Sequence, residues 1–189
     1  MNDRTGTVFP GGDFRSRTSG PGAIPGARPV PAGRAGNHRG TEAAAWPLFS
    51  GLGPLGALPT VPRLARTYTV LVLGSWELGD MAEAGELIVS ELATNVVRAA
   101  TGPDGSPAYG RDGRLPVLWV RLMTDRSLLG IEVWDSLPAA AGVPDLRAAA
   151  PDAESGRGLE IVAGLSVDWG WEPVPGARAK RTWALLAVA

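Results

Sequence analysis

The amino-acid sequence predicts an α+β protein built as a two-layer sandwich, in which helices cover one face of a mixed, mostly antiparallel sheet. Three observations lead to this fold class. Two helical segments open the ordered part of the chain, two pairs of strand-like runs follow them, and a third helical segment lies between the pairs. The sequence contains no internal repeat.

The first 45 residues differ in composition from the rest. Residues 1–40 hold 9 Gly, 5 Pro, 6 Arg and 2 Asp, with few large apolar residues and no periodic pattern. Such a segment cannot bury enough apolar surface to offset the entropy that it would lose on ordering. We therefore predict a disordered basic tail over 1–45, either inert or in contact with a partner, and one folded domain over 46–189.

Apolar residues begin at Trp46, but the stretch that follows is rich in Gly and Pro. Residues 51–62 favour a loop, or an extended strand near Leu55–Leu58. At Pro62 the pattern changes, because proline suits the first turn of a helix and apolar residues recur behind it. The sequence therefore predicts the first helix over 62–76.

The second helix, predicted over 81–100, has the clearest pattern in the chain. Asp80 precedes it and Glu83 follows three residues later, which predicts a capping box at its start. An apolar residue recurs at every fourth position and forms a stripe along one face: Ala84, Ile88, Leu92 and Val96.

A first antiparallel hairpin follows. Residues 116–123 and 128–134 are strand-like runs, and the four residues between them are typical of a turn. The next segment, 136–156, is rich in Ala, Pro and Gly and has no clear period. Long loops of this kind in compact domains often act as lids, and we expect this one to cover a binding site.

The chain ends with a short helix and a second hairpin. Residues 156–165 predict the helix, which two glycines open. Residues 166–172 and 181–188 are strand-like runs joined by a Pro/Gly turn.

Composition excludes several classes of function. Without Cys the chain has no disulfide, no thiolate zinc site and no cysteine nucleophile, and its one histidine, His38, excludes a histidine-based triad. No apolar run reaches the roughly 18 residues of a membrane span, and the first residues lack the apolar core of a signal peptide, so we expect a cytoplasmic protein. A net charge of −1 gives no general case for nucleic-acid binding. Of the 18 cationic residues only Lys180 is a lysine.

Glu91 and Asn95 are the first candidate functional residues. They are four positions apart on the second helix, so they share a face, and they adjoin the apolar stripe. A carboxylate beside an amide oxygen suits Mg²⁺ or an ordered water. The alternative is a polar edge of the helix with no function, which is the commoner meaning of such an isolated pair.

Asp135 is the second candidate. It ends an apolar strand and opens the long loop, where its carboxylate could accept a hydrogen bond from an exocyclic amine; it could equally be a turn-initiating residue before Ser136 and Pro138. The third candidate is the segment Gly156-Arg157-Gly158 at the start of the short helix. Free N–H groups at a helix start bind anions such as phosphate, although two glycines can also mark only a flexible helix start.

These segments together resemble the GHKL ATPases, which share the Bergerat ATP-binding fold. The closest likeness is to the small bacterial anti-sigma-factor serine/threonine kinases and their stand-alone actinomycete relatives. The resemblance covers about 60–188, and it implies that 46–189 is a histidine kinase-like ATPase domain. It rests on four segments: ELIVSELATNVVRAA (86–100), IEVWDSLP (131–138), ESGRGLEIVAGLSVDWGW (154–171) and TWALLAV (182–188).

The resemblance implies ATP and Mg²⁺ as cofactors and assigns a role to each candidate. Asn95 resembles the asparagine that binds the Mg²⁺ bridging the ATP phosphates. Glu91 resembles the catalytic general base, and Asp135 the residue that accepts a hydrogen bond from the adenine amino group.

The remaining assignments concern the phosphates and the base. Gly156, Arg157 and Gly158 resemble the second glycine box, which contacts the phosphates, and Thr182 resembles a threonine near the adenine pocket. The first glycine box of the family reads D-x-G-x-G, whereas the sequence here runs from Asp135 to Ala139 without glycine.

Two functions follow from the resemblance. The first is an anti-sigma-factor-type serine/threonine kinase that uses Mg-ATP and phosphorylates a small antagonist protein. The alternative is a non-catalytic module that binds a sigma factor or another regulatory partner in a nucleotide-dependent way. The retained Glu91 favours the kinase, and the missing glycines favour the binding module. The expected partner is thus a regulatory protein, a homodimer is allowed, and neither a membrane nor a nucleic acid is expected.

Overall fold

A computed structural model describes residues 46–110, 113–138, 157–174, 177 and 179–189. It contains three α-helices and five strands within these ranges. In chain order they are β1 (Leu48–Gly56), α1 (Val61–Ser75), α2 (Ala82–Ala99), β2 (Val117–Thr124), β3 (Leu128–Asp135), α3 (Arg157–Leu165), β4 (Asp168–Pro173) and β5 (Lys180–Ala187). The predicted tail over 1–45 and almost all of the predicted lid over 136–156 lie outside the described residues.

The five strands form one sheet in the order β1-β2-β3-β5-β4. All four pairings of neighbouring strands are antiparallel, so the α+β class is confirmed and the sheet is antiparallel throughout rather than mixed. Both predicted hairpins, β2–β3 and β4–β5, are present. β3 lies at the centre of the sheet, where it pairs with β2 on one side and β5 on the other.

Helices and sheet bury one shared apolar core, which makes the molecule two layers thick. Alternate side chains of the central strands join this core, and the apolar stripe of α2 packs against them, as the sequence predicts. The strand and helix residues that contribute are Leu118, Val120, Leu122, Leu129, Ile131, Val133, Ala184, Leu186, Ile88, Leu92 and Val96. None of the described helices is long and apolar enough to cross a membrane.

The capping box predicted at the start of α2 does not form. Asp80 lies in a 3₁₀ turn over Gly79–Met81, and the residue at the N-cap position of α2 is Met81, which makes no side-chain capping bond. The N–H of Met81 closes this turn by donating to the carbonyl of Leu78 at 3.0 Å, and the N–H of Leu78 ties the segment to α1 by donating to the carbonyl of Leu73 at 2.8 Å. A tightened first turn of this kind replaces the side-chain cap.

The first strand extends well beyond the predicted stretch near Leu55–Leu58. β1 runs from Leu48 and pairs with β2, with a shift of register between Leu52 and Leu55. Gly53 at this irregularity has φ +129°, and a Cβ on it would lie 2.9 Å from the carbonyl oxygen of Leu118. Glycine and proline are tolerated here because β1 is an edge strand with a bulge.

The face of the sheet turned away from the helices carries an ion-pair cluster around Glu132. This carboxylate is 2% exposed and accepts hydrogen bonds from Trp134 Nε1 at 2.9 Å and Arg181 Nη1 at 2.8 Å. Arg121 Nε lies 3.3 Å from Glu132 Oε2, the oxygen that also accepts from Trp134. Two guanidinium groups therefore share one buried anion, and the cluster ties β2, β3 and β5 together.

Replacing this anion should destabilise the protein strongly. We expect Glu132→Ala to lower the free energy of unfolding by about 3–5 kcal/mol, because both guanidinium groups then lose the buried carboxylate between them, and the ion pair of Arg181 with the half-exposed Glu172 replaces it only in part. Urea unfolding followed by tryptophan fluorescence measures the change. Glu77→Ala is the matched control: Glu77 is 85% exposed, and its loss should cost less than about 0.5 kcal/mol. Equal losses in the two variants would contradict the importance of the cluster.

Candidate functional site

α2 carries Glu91 and Asn95 as the sequence predicts. The two residues lie one turn apart on the helix, and both are half-buried at the border of the apolar stripe. A helix packed on the sheet is a rigid support, so the relative position of the carboxylate and the amide is set by the core beneath them.

The carboxylate of Glu91 lies against the start of α3. A Cβ built on Gly158 would come within 2.9 Å of Glu91 Cδ and 3.4 Å of Cγ, and its closest contact would be with Glu91 Oε2. With any other residue at position 158 this carboxylate would have to move from its present place. Two of the segments that carry the family resemblance, far apart in the sequence, therefore meet in the structure.

The start of α3 is suited to negative charge. The first N–H groups of a helix have no partners within the helix, and the helix dipole places partial positive charge there. Arg157 is the first residue of α3, but its side chain lies outside the described residues, as does Gly156 entirely. Of the predicted glycine box, only Gly158 is thus seen in full.

Asp135 ends β3 on the face that packs against the helices, and it is fully buried. Its Oδ1 accepts two hydrogen bonds, from the N–H of Leu137 at 3.0 Å and from Lys180 Nζ at 2.9 Å. Its Oδ2 is buried and has no hydrogen-bond partner among the described residues. Burial raises the pKa of Asp135 above its ordinary value, while the Lys180 ammonium and the Leu137 N–H oppose that rise.

Sequence reasoning missed Lys180. In the β3–β5 register Lys180 lies opposite Asp135, and it is only 2% exposed. Thr182, two residues further along β5, is buried on the same face and lies opposite Val133. The alternation of β5 was the available signal: Lys180 and Thr182 share the parity of the core residues Ala184 and Leu186, so the single lysine of the chain had to point inward.

Ser136 and Leu137, at positions of the missing first glycine box, hold the chain in place. The N–H of Ser136 donates to the carbonyl of Val117 at 3.0 Å, and the N–H of Val117 donates to Ser136 Oγ at 2.9 Å. Leu137 is buried in the main core. The chain just after Asp135 is therefore fastened to β2 and to the core, where a glycine-rich segment would be loosely held.

The candidate residues form two groups. The first is Glu91, Asn95 and Gly158, and the second is Asp135, Thr182 and the unpredicted Lys180. No described hydrogen bond joins Asp135 to Glu91 or Asn95. Among the described residues, no cluster of three or more Asp, Glu or His side chains could hold a metal ion by itself. Any metal at Asn95 would need ligands from a bound molecule.

No protein-family model matches the chain, and no curated protein matches it. The function has to be inferred from the geometry of these two groups and from the resemblance of the sequence segments that carry them.

Proposed function

We propose that the chain is an ATP-binding regulatory protein with a Bergerat-type fold, and that it acts as an anti-sigma-factor-type serine/threonine kinase. The contact between Glu91 and Gly158 carries the proposal. It brings a candidate general base to the helix start that would hold the phosphates. In the family that the sequence resembles, the same two segments form the catalytic end of the nucleotide site.

The buried carboxylate of Asp135 supports an adenine base as ligand. Oδ1 is already engaged by Lys180 and Leu137, so the site offers one acceptor, Oδ2. The 6-amino group of adenine is a donor that matches one acceptor, and a buried acceptor without a partner is costly unless a ligand completes it. Thr182, buried on the same face, would line the base as the resemblance implies.

The other group supports phosphates and Mg²⁺. Glu91 already places one negative charge at the start of α3, and phosphate there would repel it unless a cation lay between them. Asn95, one turn away, offers the amide oxygen that would hold Mg²⁺ together with phosphate oxygens. Mg-ATP would supply the phosphoryl group and would leave as Mg-ADP. Glu91 would take the proton of the substrate hydroxyl, and the start of α3 would hold the phosphates in place.

The partner follows from the resemblance. We propose a serine or threonine of a small anti-sigma antagonist as the phosphate acceptor and a sigma factor as a second binding partner. The protein would act in the cytoplasm.

A second function is favoured by one observation. Leu137 stands where the kinases of the family have the first glycine of D-x-G-x-G, and it is buried in the core, while Ser136 before it is hydrogen-bonded to β2. A site built this rigidly can bind a nucleotide without closing over it. The chain would then be a nucleotide-dependent binding module that holds its partner without phosphorylating it.

Nucleotide binding is the first test of the proposal. The wild-type protein should bind Mg-ATP in titration calorimetry. Asp135→Asn should weaken this binding by about 10- to 100-fold, because Lys180 would take the amide oxygen and turn the NH₂ donor toward the base. Asp104→Asn, an exposed change in the loop after α2, should leave the affinity unaltered. Absence of binding at millimolar ATP would contradict both proposed functions.

Phosphoryl transfer separates the kinase from the binding module. In the kinase, Glu91→Ala should keep ATP binding and lose about 10²- to 10⁴-fold in transfer rate, the usual worth of a general base. Asn95→Ala should weaken both binding and transfer, because a metal ligand positions the phosphates before any chemistry. The assay follows labelled phosphate from ATP to an antagonist protein.

Glu83→Ala, an exposed change on the same helix, is the control for both variants. Transfer at the wild-type rate from Glu91→Ala would remove the general-base role. A wild-type protein that binds its partner and ATP but never transfers phosphate would support the binding module.

Glycine 158 tests the position of Glu91 directly. Gly158→Ala should displace the Glu91 carboxylate, because the new methyl group would occupy its place, and transfer should fall by about 100-fold. Gly164→Ala is the matched control on the same helix, since a Cβ there meets nothing within 4 Å. It should leave transfer unchanged and raise the free energy of unfolding by up to about 1 kcal/mol. Equal transfer rates in the two variants would show that the contact is unimportant.

A further inference from the structure

The Asp135–Lys180 ion pair is an unexpected feature of the site, and it adds to the proposed function on which this inference rests. Lys180 is the single lysine in the chain and lies 2.9 Å from Asp135 Oδ1, with side chains 2% and 0% exposed. Burying a lysine is costly unless its charge is paired. The pair is held by the register of β3 and β5, so neither side chain can leave without disturbing the sheet.

The state of the Asp135 carboxyl decides which purine it can bind. An ionised carboxylate only accepts hydrogen bonds, whereas a protonated carboxyl also donates one. ATP presents an amino donor at position 6 of the base, and inosine triphosphate presents an oxygen acceptor there. The ionised form therefore selects the 6-amino base, and the protonated form could bind the 6-oxo base.

We propose that Lys180 is a positioning residue for base specificity. It holds Oδ1 of Asp135 and keeps the carboxylate ionised, so that Oδ2 remains an acceptor and the site selects 6-amino over 6-oxo purine nucleotides. Leu137 assists through its backbone N–H, which also binds Oδ1. No other titratable group is hydrogen-bonded to Asp135 among the described residues, so loss of Lys180 removes the charge that faces it.

The influences on the pKa of Asp135 support this role. Burial is the largest of them and raises the pKa, and Lys180 is the largest of those that lower it. Without Lys180 the carboxyl would stay protonated to higher pH. Asp135 Oδ2 would then become an acceptor only as the pH rises through the higher pKa that Asp135 has without Lys180.

The test compares binding of Mg-ATP and Mg-inosine triphosphate by the full-length wild type and Lys180→Met. The wild type should prefer ATP by about 10- to 100-fold near neutral pH. Lys180→Met should lose most of this preference near neutral pH, because ATP binding falls while inosine triphosphate binding is kept. Its ATP affinity should recover as the pH rises. Lys180→Arg, which keeps the charge, should retain the preference for ATP.

The outcomes separate the two proposals. A wild type that binds neither nucleotide overturns the proposed function and this inference with it. A wild type that binds ATP, with a Lys180→Met variant that keeps the wild-type preference at every pH, overturns only the role of Lys180. If the role of Lys180 were purely structural, Lys180→Met would weaken the binding of both nucleotides equally, and this loss would not depend on pH. Arg126→Met, an exposed cation in the β2–β3 turn, controls for loss of one charge.

A second variant covers failure of Lys180→Met to fold. Removing one partner of a buried ion pair leaves the other charge unpaired, which is often strongly destabilising. The double change of Asp135→Asn with Lys180→Gln replaces the pair by two neutral amides. Its amide N–H should favour inosine triphosphate over ATP. An unaltered preference for ATP in this variant would overturn the inference.

Discussion

The pairing of β3 with β5 is the constraint on which the candidate site depends. Its antiparallel register runs from Leu128 opposite Ala187 to Asp135 opposite Lys180, and every second pair faces the helices. Seven of the eight register pairs precede the pair of Asp135 and Lys180, so packing along most of the strand fixes where this final polar pair must lie. The ion pair is thus placed by the core, and the attraction between the two charges offsets the free-energy cost of burying them.

The helix layer completes the site by a similar route. Ile88, Leu92 and Val96 anchor α2 on the sheet, which leaves Glu91 at the border of the packed face. α3 then packs against α2 closely enough that a Cβ at position 158 would meet the Glu91 carboxylate. The same packing that stabilises the fold therefore brings the Glu91 carboxylate to the start of α3.

Much of this architecture could be predicted from the sequence, because its signals are local. The apolar stripe of α2 and the alternating runs of β2 and β3 lie within one or two residues of their predicted bounds. β1 was largely missed, since its glycines and proline resemble a loop until β2 pairs with it. The Asp135–Lys180 pair joins residues 45 positions apart, and no local pattern reveals a contact that only strand register creates. The contact of Glu91 with Gly158 was not predicted, since it too joins segments far apart in the sequence.

The two proposed functions share one end of the site and differ at the other. In both proposals Asp135 and Lys180 would decide whether a purine base is held. Glu91, Asn95 and Gly158 would decide whether a phosphate is also placed for transfer. Because the first group lies on the sheet and the second on the helices, a change in one leaves the support of the other intact. A chain that lost catalysis could therefore keep nucleotide recognition. The segment at Ser136 and Leu137 would be where the binding module differs from the kinase, since it directly follows Asp135, the proposed base-binding residue, and is tied to the sheet.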